Sequence, residues 1–176
     1  MGGSPKGLLA APDTGEALVA RALRLARSLA LDVALVGDAS PYRALVGDTP
    51  VLDDEASGSG PLGGLCALLA WAAEGPVIAL ACDHPYVTLD DLRALRDHPS
   101  GAAVVAARRS PDAPWEPLLA RYDAARVLPV ARERLRRDER GLQGLLAAVG
   151  VVDAGLRAGA CDDWDTPEDV TRSRTP

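Results

Sequence analysis

The sequence predicts an α/β fold whose sheet is mostly parallel with one antiparallel strand. Short apolar runs at 32–36, 77–82 and 101–107 alternate with stretches of helical periodicity, the order that lays helices over a parallel sheet. The run Val77-Ile-Ala-Leu-Ala-Cys82 is apolar at every position, as a parallel strand buried on both faces requires. The segment 115–122 follows its predecessor through a polar loop rather than a helix, so it returns antiparallel. With 176 residues, no internal repeat and no dividing linker, residues 1–176 fit one domain with enough core to fold unaided.

Taken in order, Met1-Gly-Gly-Ser-Pro-Lys6-Gly-Leu-Leu is a glycine-rich loop ending near a lysine. It reads either as a terminus with a solvated lysine or as a phosphate-cradling loop without the usual strand ahead of it. Residues 17–29 are a helix capped by Asp13 or Thr14, with a solvated basic face of Arg21, Arg24 and Arg27. A short strand at 32–36, a turn at 37–41 and a helical turn at 42–46 follow. A second short strand, 49–52, runs into Asp53-Asp54-Glu55, which is either a solvated loop or holds a carboxylate aimed at a ribose or a metal. Gly60-Pro-Leu-Gly-Gly-Leu supplies flexible backbone and opens a small-residue helix.

Strand 77–82 then delivers Asp83-His84-Pro85-Tyr86 to its carboxyl end, where open α/β sheets bind ligands. Thr88-Leu-Asp-Asp91 caps a helix reaching Arg96. Strand 101–107, a loop with Arg108 and Arg109, the Trp115-Glu-Pro strand entry, helices at 124–138 and 141–149 and a strand at 150–152 complete the order. Asp165 or Thr166 caps a last helix with Pro167 at its first position.

Composition narrows the function. Ala, Leu and Val carry most of a 48% hydrophobic content that includes no Phe, so helices and sheet must pack closely. A net charge of −6 argues against a nucleic-acid platform but not against one nucleotide bound with a divalent cation. Cys66, Cys82 and Cys161 are odd in number and never form a C-x-x-C, which suits buried thiols in a reducing, cytoplasmic setting. No apolar run reaches the ~18 residues of a membrane span, and no signal peptide pattern is present. There is no G-x-S-x-G elbow, complete Walker A loop or G-x-G-x-x-G, and His84 and His98 are too far apart for a histidine metal site. His84 either lines the site beside Asp83 or packs at the strand end. The remaining carboxylates, lysine and glycine turns suit Mg²⁺-assisted transfer of a nucleotidyl group, which needs no covalent nucleophile on the protein.

Five stretches in order resemble the molybdenum cofactor guanylyltransferase (MobA) family: Met1-Gly-Gly-Ser-Pro-Lys6-Gly-Leu-Leu, Val51-Leu-Asp-Asp54 with Gly60-Pro-Leu-Gly-Gly-Leu, Ala81-Cys-Asp83-His-Pro-Tyr86, Trp115-Glu-Pro-Leu, and Asp163-Trp-Asp-Thr-Pro-Glu-Asp-Val170. The resemblance covers residues 1 to about 170 and implies a Rossmann-like three-layer nucleotidyltransferase sheet. It implies transfer of GMP from Mg·GTP to the phosphate of molybdenum-molybdopterin, with release of pyrophosphate, and molybdoenzyme or cofactor-chaperone partners. Carried over by position, Lys6 contacts the nucleotide phosphates, Asp54 contacts the nucleotide (Asp53 is the fallback), and Asp83 ligates Mg²⁺. Lys6 and Asp83 are the implied catalytic pair.

The sequence also departs from the family. Gly37 stands where the family has an asparagine, and Asp165 replaces an asparagine in the closing motif. Met1 aligns with the middle of the signature Leu-Ala-Gly-Gly-x-Ser-x-Arg-Met-Gly, so strands 32–36 and 77–82 are expected to lack a shared neighbour. Either the natural coding sequence starts upstream of Met1 or the chain is a degenerate relative; the persistence of Lys6, Asp54 and Asp83 favours the first. The alternative functions are cytidylyl transfer to the same cofactor and non-catalytic nucleotide or cofactor binding.

Overall fold

The structure, a computed structural model, describes residues 5–56 and 58–164. Asp165, Thr166, Pro167 and the rest of the expected closing helix lie outside the described residues, as do Met1 to Ser4. The described elements are α1 (Leu18–Arg27), β1 (Leu35–Val36), α2 (Arg43–Val46), β2 (Val51–Leu52), α3 (Pro61–Trp71), β3 (Pro76–Leu80), α4 (Leu89–Arg96), β4 (Val104–Arg108), β5 (Trp115–Asp123), α5 (Ala124–Arg136), α6 (Leu142–Val149) and β6 (Val151–Asp153), with 3-10 turns at Lys6–Leu8, Ser40–Tyr42 and Ala158–Cys161.

Four strands pair in the order β3-β5-β4-β6, with β5 antiparallel to both neighbours and β4 parallel to β6. Strands β3, β4 and β6 therefore run one way and β5 the other, as the loop before 115 predicted. β4 is the centre: Val104, Val105, Ala106 and Ala107 are fully buried. One face packs Leu62, Leu65 and Leu69 of α3 with Val127 of α5 and Leu145 of α6. The other packs Leu25 of α1, Leu92 and Leu95 of α4 and Cys161. Small side chains on the sheet, chiefly alanine, let these layers approach, as a core without phenylalanine demands.

The parallel pair β1 and β2 forms a separate two-stranded sheet. Its ladder rests on Leu35 N–H to Pro50 C=O at 2.8 Å and Gly37 N–H to Leu52 C=O at 2.9 Å. Among the described residues β1 pairs on one edge, with β2, and it covers two residues of the expected 32–36. The expectation for β3 also needs correction. This strand pairs with antiparallel β5 on one edge and with no described strand on the other, so Val77, Ile78 and Leu80 are only half-buried.

Two further corrections concern α1 and its approach. Neither Asp13 nor Thr14 caps the helix; Ala17 is its N-cap and no side chain closes it. The backbone does this instead, with Ala10 bridged to Ala17 and Leu18 N–H donating to Leu9 C=O at 2.9 Å. Asp13 accepts from Arg21, and Arg21 is only 5% exposed rather than part of a solvated face. The expected Thr88 cap is present as a reciprocal capping box with Asp91.

At Trp115-Glu-Pro the register of β4 with β5 jumps: Ala106 faces Ala120, yet Ala107 faces Glu116. The resulting bulge takes Pro117, whose carbonyl accepts from the buried Tyr122 hydroxyl at 2.7 Å.

Candidate active site

Lys6 and Asp83 meet although 77 residues separate them: Lys6 Nζ lies 3.0 Å from Asp83 Oδ2, with both side chains mostly buried. The 3-10 turn at Lys6–Leu8 presents the lysine, and Gly7 is what lets that turn settle. A Cβ on Gly7 would sit 2.8 Å from Tyr42 Cε1, so only glycine fits against the tyrosine that follows β1. Leu9 N–H closes the turn on Lys6 C=O at 3.0 Å. The lysine is therefore fixed between the carboxyl ends of β1 and β3, not waving in solvent.

The loop after β3 is held by its carbonyls. Trp164 N–H donates to Asp83 C=O at 3.1 Å, and Arg21 Nη1 donates to Val87 C=O at 2.7 Å. Arg157 Nη2 donates to Tyr86 C=O and lies 3.1 Å from Asp91 Oδ2 of the capping box. The Trp164 ring is buried and stands edge-on to Tyr86 at a centroid distance of 6.3 Å. Three separate segments thus fix the backbone that carries Asp83. Sequence reasoning missed Arg21, Arg157 and Trp164 in this role; only Trp164, inside the closing motif, carried a signal.

Asp54 lies across the same opening. A cavity of about 990 Å³ runs between the β1 and β3 edges, and Gly37, Asp38, Asp54, Gly60, Cys82 and Asp83 line its mouth. Asp53 is exposed and does not line it, and Glu55 is taken by an ion pair with Arg132. The three carboxylates of the acidic triplet therefore separate, and Asp54 faces the opening. His84 is buried and is not among the lining residues. Gly37 holds φ = +87° at the rim while its N–H completes the β1–β2 ladder.

The glycines after Gly60 are not flexible linkers, as the sequence suggested. Gly60 has φ = +64°, but Gly63 and Gly64 are buried within α3. A Cβ on Gly64 would lie 2.8 Å from Val36 Cγ1 and 3.1 Å from Asp54 Oδ1. Close approach of the helix to β1 and to Asp54 is the reason for glycine there. No side chain caps the start of α3, so its first N–H groups and positive dipole end lie beside the Asp54 rim.

Burial, and secondarily the Asp83 charge, push the Cys82 thiol above its ordinary pKa, so it is protonated at neutral pH and a poor nucleophile. Among the described residues no group of three or more His, Cys, Asp or Glu side chains is placed to hold a metal alone. Asp83, with Asp54 on the same mouth, fits a hard cation that takes one or two carboxylates and fills its shell with phosphate and water. Among the described residues no helix is long and apolar enough to cross a membrane.

A three-layer α/β sheet with a lysine–aspartate pair and a second carboxylate at its strand ends, and among the described residues no activated nucleophile, is compatible with nucleotidyl transfer. The comparisons agree. The MobA-like NTP transferase domain matches residues 1–153, and the chain belongs to that family. A molybdenum cofactor guanylyltransferase of Pseudomonas putida (strain GB-1) is 36% identical over 170 residues, covering 94% of this chain and 82% of that protein. A probable molybdenum cofactor guanylyltransferase of Opitutus terrae is 33% identical over 174 residues, covering 91% and 83%. Among solved structures, molybdopterin-guanine dinucleotide biosynthesis protein A from Archaeoglobus fulgidus superposes with a TM-score of 0.74 at 19% identity, over 97% of this chain and 89% of that one. The 2-C-methyl-D-erythritol 4-phosphate cytidylyltransferase from Thermus thermophilus gives 0.69 at 16% identity, over 97% and 93%. The chain is a transferase with a molybdenum-cofactor guanylyltransferase type of sequence and a nucleotidyltransferase fold.

Proposed function

We propose that residues 1–176 act as one unit that transfers GMP from GTP to the phosphate of molybdenum-molybdopterin in the cytoplasm. An oxygen of the acceptor phosphate attacks the α-phosphorus of GTP. The bond from that phosphorus to the α–β bridging oxygen breaks, and pyrophosphate leaves with the electron pair. The observation that carries this reading is the Lys6–Asp83 contact at the strand ends, 3.0 Å long. It supports the reading by bringing together the carboxylate that would hold a cation and the ammonium that would bind phosphate.

Lys6 would lie against the phosphates and offset the charge that gathers on the departing pyrophosphate. Asp54 would hold the nucleotide from the far rim, beside the open start of α3. Asp83, with the nucleotide's own phosphates, would hold Mg²⁺, which supplies charge neutralisation and alignment of the reacting phosphates when bound. The fixed carbonyls at Asp83, Tyr86 and Val87 keep the Asp83 carboxylate in place without reorganisation during the step.

The test is turnover with Mg·GTP or Mg·CTP and the molybdenum-bearing pterin as acceptor, followed by chromatography of the dinucleotide product. Guanylyl transfer with GTP preferred is expected. Preference for CTP would overturn the choice of base, and nucleotide binding without any transfer would overturn the catalytic reading.

A further inference from the structure

Asp54 and Glu55 are neighbours that point opposite ways. Asp54 lines the cavity mouth, whereas Glu55 reaches back to Arg132 of α5. Arg132 Nε lies 2.8 Å from Glu55 Oε1 and 3.1 Å from Oε2, and Nη2 donates to Oε1 as well. A planar guanidinium that grips one carboxylate through two nitrogens fixes direction as well as distance. Arg140, just ahead of α6, makes a second attachment by donating from Nη1 to Gly58 C=O. Glu55 N–H in turn donates to Gly63 C=O of α3 at 3.3 Å.

The hairpin that carries both arginines is itself braced. Asp138 N–H donates to Leu135 C=O at 3.0 Å, and Glu139 N–H to Arg134 C=O at 2.9 Å, closing the turn between α5 and α6. Arg134 Nη1 pairs with Glu139 at 2.9 Å, and Arg140 Nε with Asp138 at 2.6 Å. Glu55, Arg132 and Arg140 do not line the cavity themselves. They hold the stretch that carries Asp54 from behind.

We propose that Glu55, Arg132 and Arg140 are positioning residues for nucleotide binding, which set Asp54 at the mouth before GTP arrives. The proposal rests on the reading of Asp54 as a nucleotide contact. A stretch already held in place need not be ordered by the ligand, so loss of the Glu55–Arg132 pair shows in affinity. Lys6 and Asp83 stand across the opening and are held by other segments. The effect therefore falls on KM for GTP rather than on kcat.

The test measures Mg·GTP affinity by calorimetry, with guanylyl transfer and thermal melts alongside, on Glu55→Gln, Arg132→Gln and the double variant of the full chain. Each single variant should bind Mg·GTP about fivefold more weakly, the size expected of an exposed bidentate pair, with KM rising to match and kcat within about twofold of the parent. The double variant should lose no more than either single one, because both remove the same contact. Glu55→Gln makes the protein less negative and Arg132→Gln more so; a general field acting on an anionic nucleotide would move their affinities apart, not together. Arg132→Lys, which keeps the charge but not the fork, should recover part of the affinity. Arg140→Gln should weaken binding in the same direction. The Arg24–Glu16 pair is the control: its side chains are 49% and 26% exposed against 48% and 30% for Arg132–Glu55, and neither lines the cavity. Arg24→Gln should leave affinity unchanged. Parent affinity in Glu55→Gln and Arg132→Gln, whatever their melting temperatures, opposite shifts in the two, or an equal loss in Arg24→Gln would each overturn the inference alone. Absence of Mg·GTP binding by the parent would overturn the nucleotide reading and the inference with it, so the two failures are told apart.

Discussion

Replacing Asp83 by Asn separates a structural pair from a reacting one. At 3.0 Å the Lys6–Asp83 attraction is about 1.4–5.5 kcal/mol for effective dielectric constants of ~80 to ~20. Desolvation of two groups left 30% and 23% exposed returns most of it, leaving a net stability contribution of ~1 kcal/mol. For a chain of 176 residues that loss lowers the melting temperature by about 2–4 °C. The catalytic consequence is of a different size. Loss of a preorganised charge that acts on the transferring phosphates costs on the order of 100- to 1000-fold in rate. Steady-state guanylyl transfer and thermal melts on Asp83→Asn, Lys6→Met and the double variant make the comparison. Each single variant should lose at least ~100-fold in kcat/KM, and the double should lose little more than either, because the two groups act as a unit. Asp83→Asn that melts a few degrees lower yet turns over within threefold of the parent would show the pair to be a structural contact only.

The other predictions concern packing and titration. Gly63→Ala should destabilise by ~1–3 kcal/mol, because the new Cβ overlaps Ser59 Oγ and lies 3.3 Å from the Ala56 carbonyl; urea titration reads this. The Arg21 hydrogen bonds hold the Asp13 carboxyl below its ordinary value of 3.8, with burial opposing them. A depressed folded pKa stabilises fully above the unfolded value, and the contribution is lost as pH falls from about 3.8 through the folded value. Asp13→Asn should therefore lower stability by ~1 kcal/mol at pH 7, a figure discounted because Asp13 is half exposed, and the gap should close below that window. Cys82, its thiol pKa raised chiefly by burial, should alkylate more slowly than a free thiol at pH 8 and accelerate only at more alkaline pH, as mass spectrometry of the labelled peptide would show.

The legible parts of this molecule are those set by local pattern. The run 101–107 reads as a buried strand because every residue is apolar, and β4 is indeed the buried centre. The reversal of β5 was readable from a loop standing where a helix would be needed for a crossover, and the capping box at Thr88 from its spacing to Asp91. Lys6, Asp54 and Asp83 come from the motif resemblance; Lys6 contacts Asp83, and Asp54 and Asp83 line one cavity. What the pattern could not give was neighbour identity. The same apolar run that predicts a strand buried on both faces belongs to β3, which among the described residues is paired on one edge and half-buried, because burial depends on what lies alongside and not on the run itself.

The same limit explains the loop after β3, where the chemistry depends on contacts that no local pattern announces. Arg21 looked like one of three surface arginines on a basic helix face, yet exposed Arg24 pairs with Glu16 while Arg21 turns inward to Val87. Its periodicity is that of its neighbours; its partner is 66 residues away. Arg157 and Trp164 reach the same loop from beyond β6, and each takes one carbonyl that the tight path of Asp83 to Val87 leaves without a ladder partner. Buried carbonyls must be satisfied somewhere. A strand that ends in a fixed, non-helical loop thereby demands donors from distant segments, and long arginines suit that demand because they cross from surface to core. The precision of the Asp83 carboxylate therefore rests in part on Arg21 and Arg157, which lie outside every motif, and substitution at Arg157 should loosen the site while leaving the motifs intact.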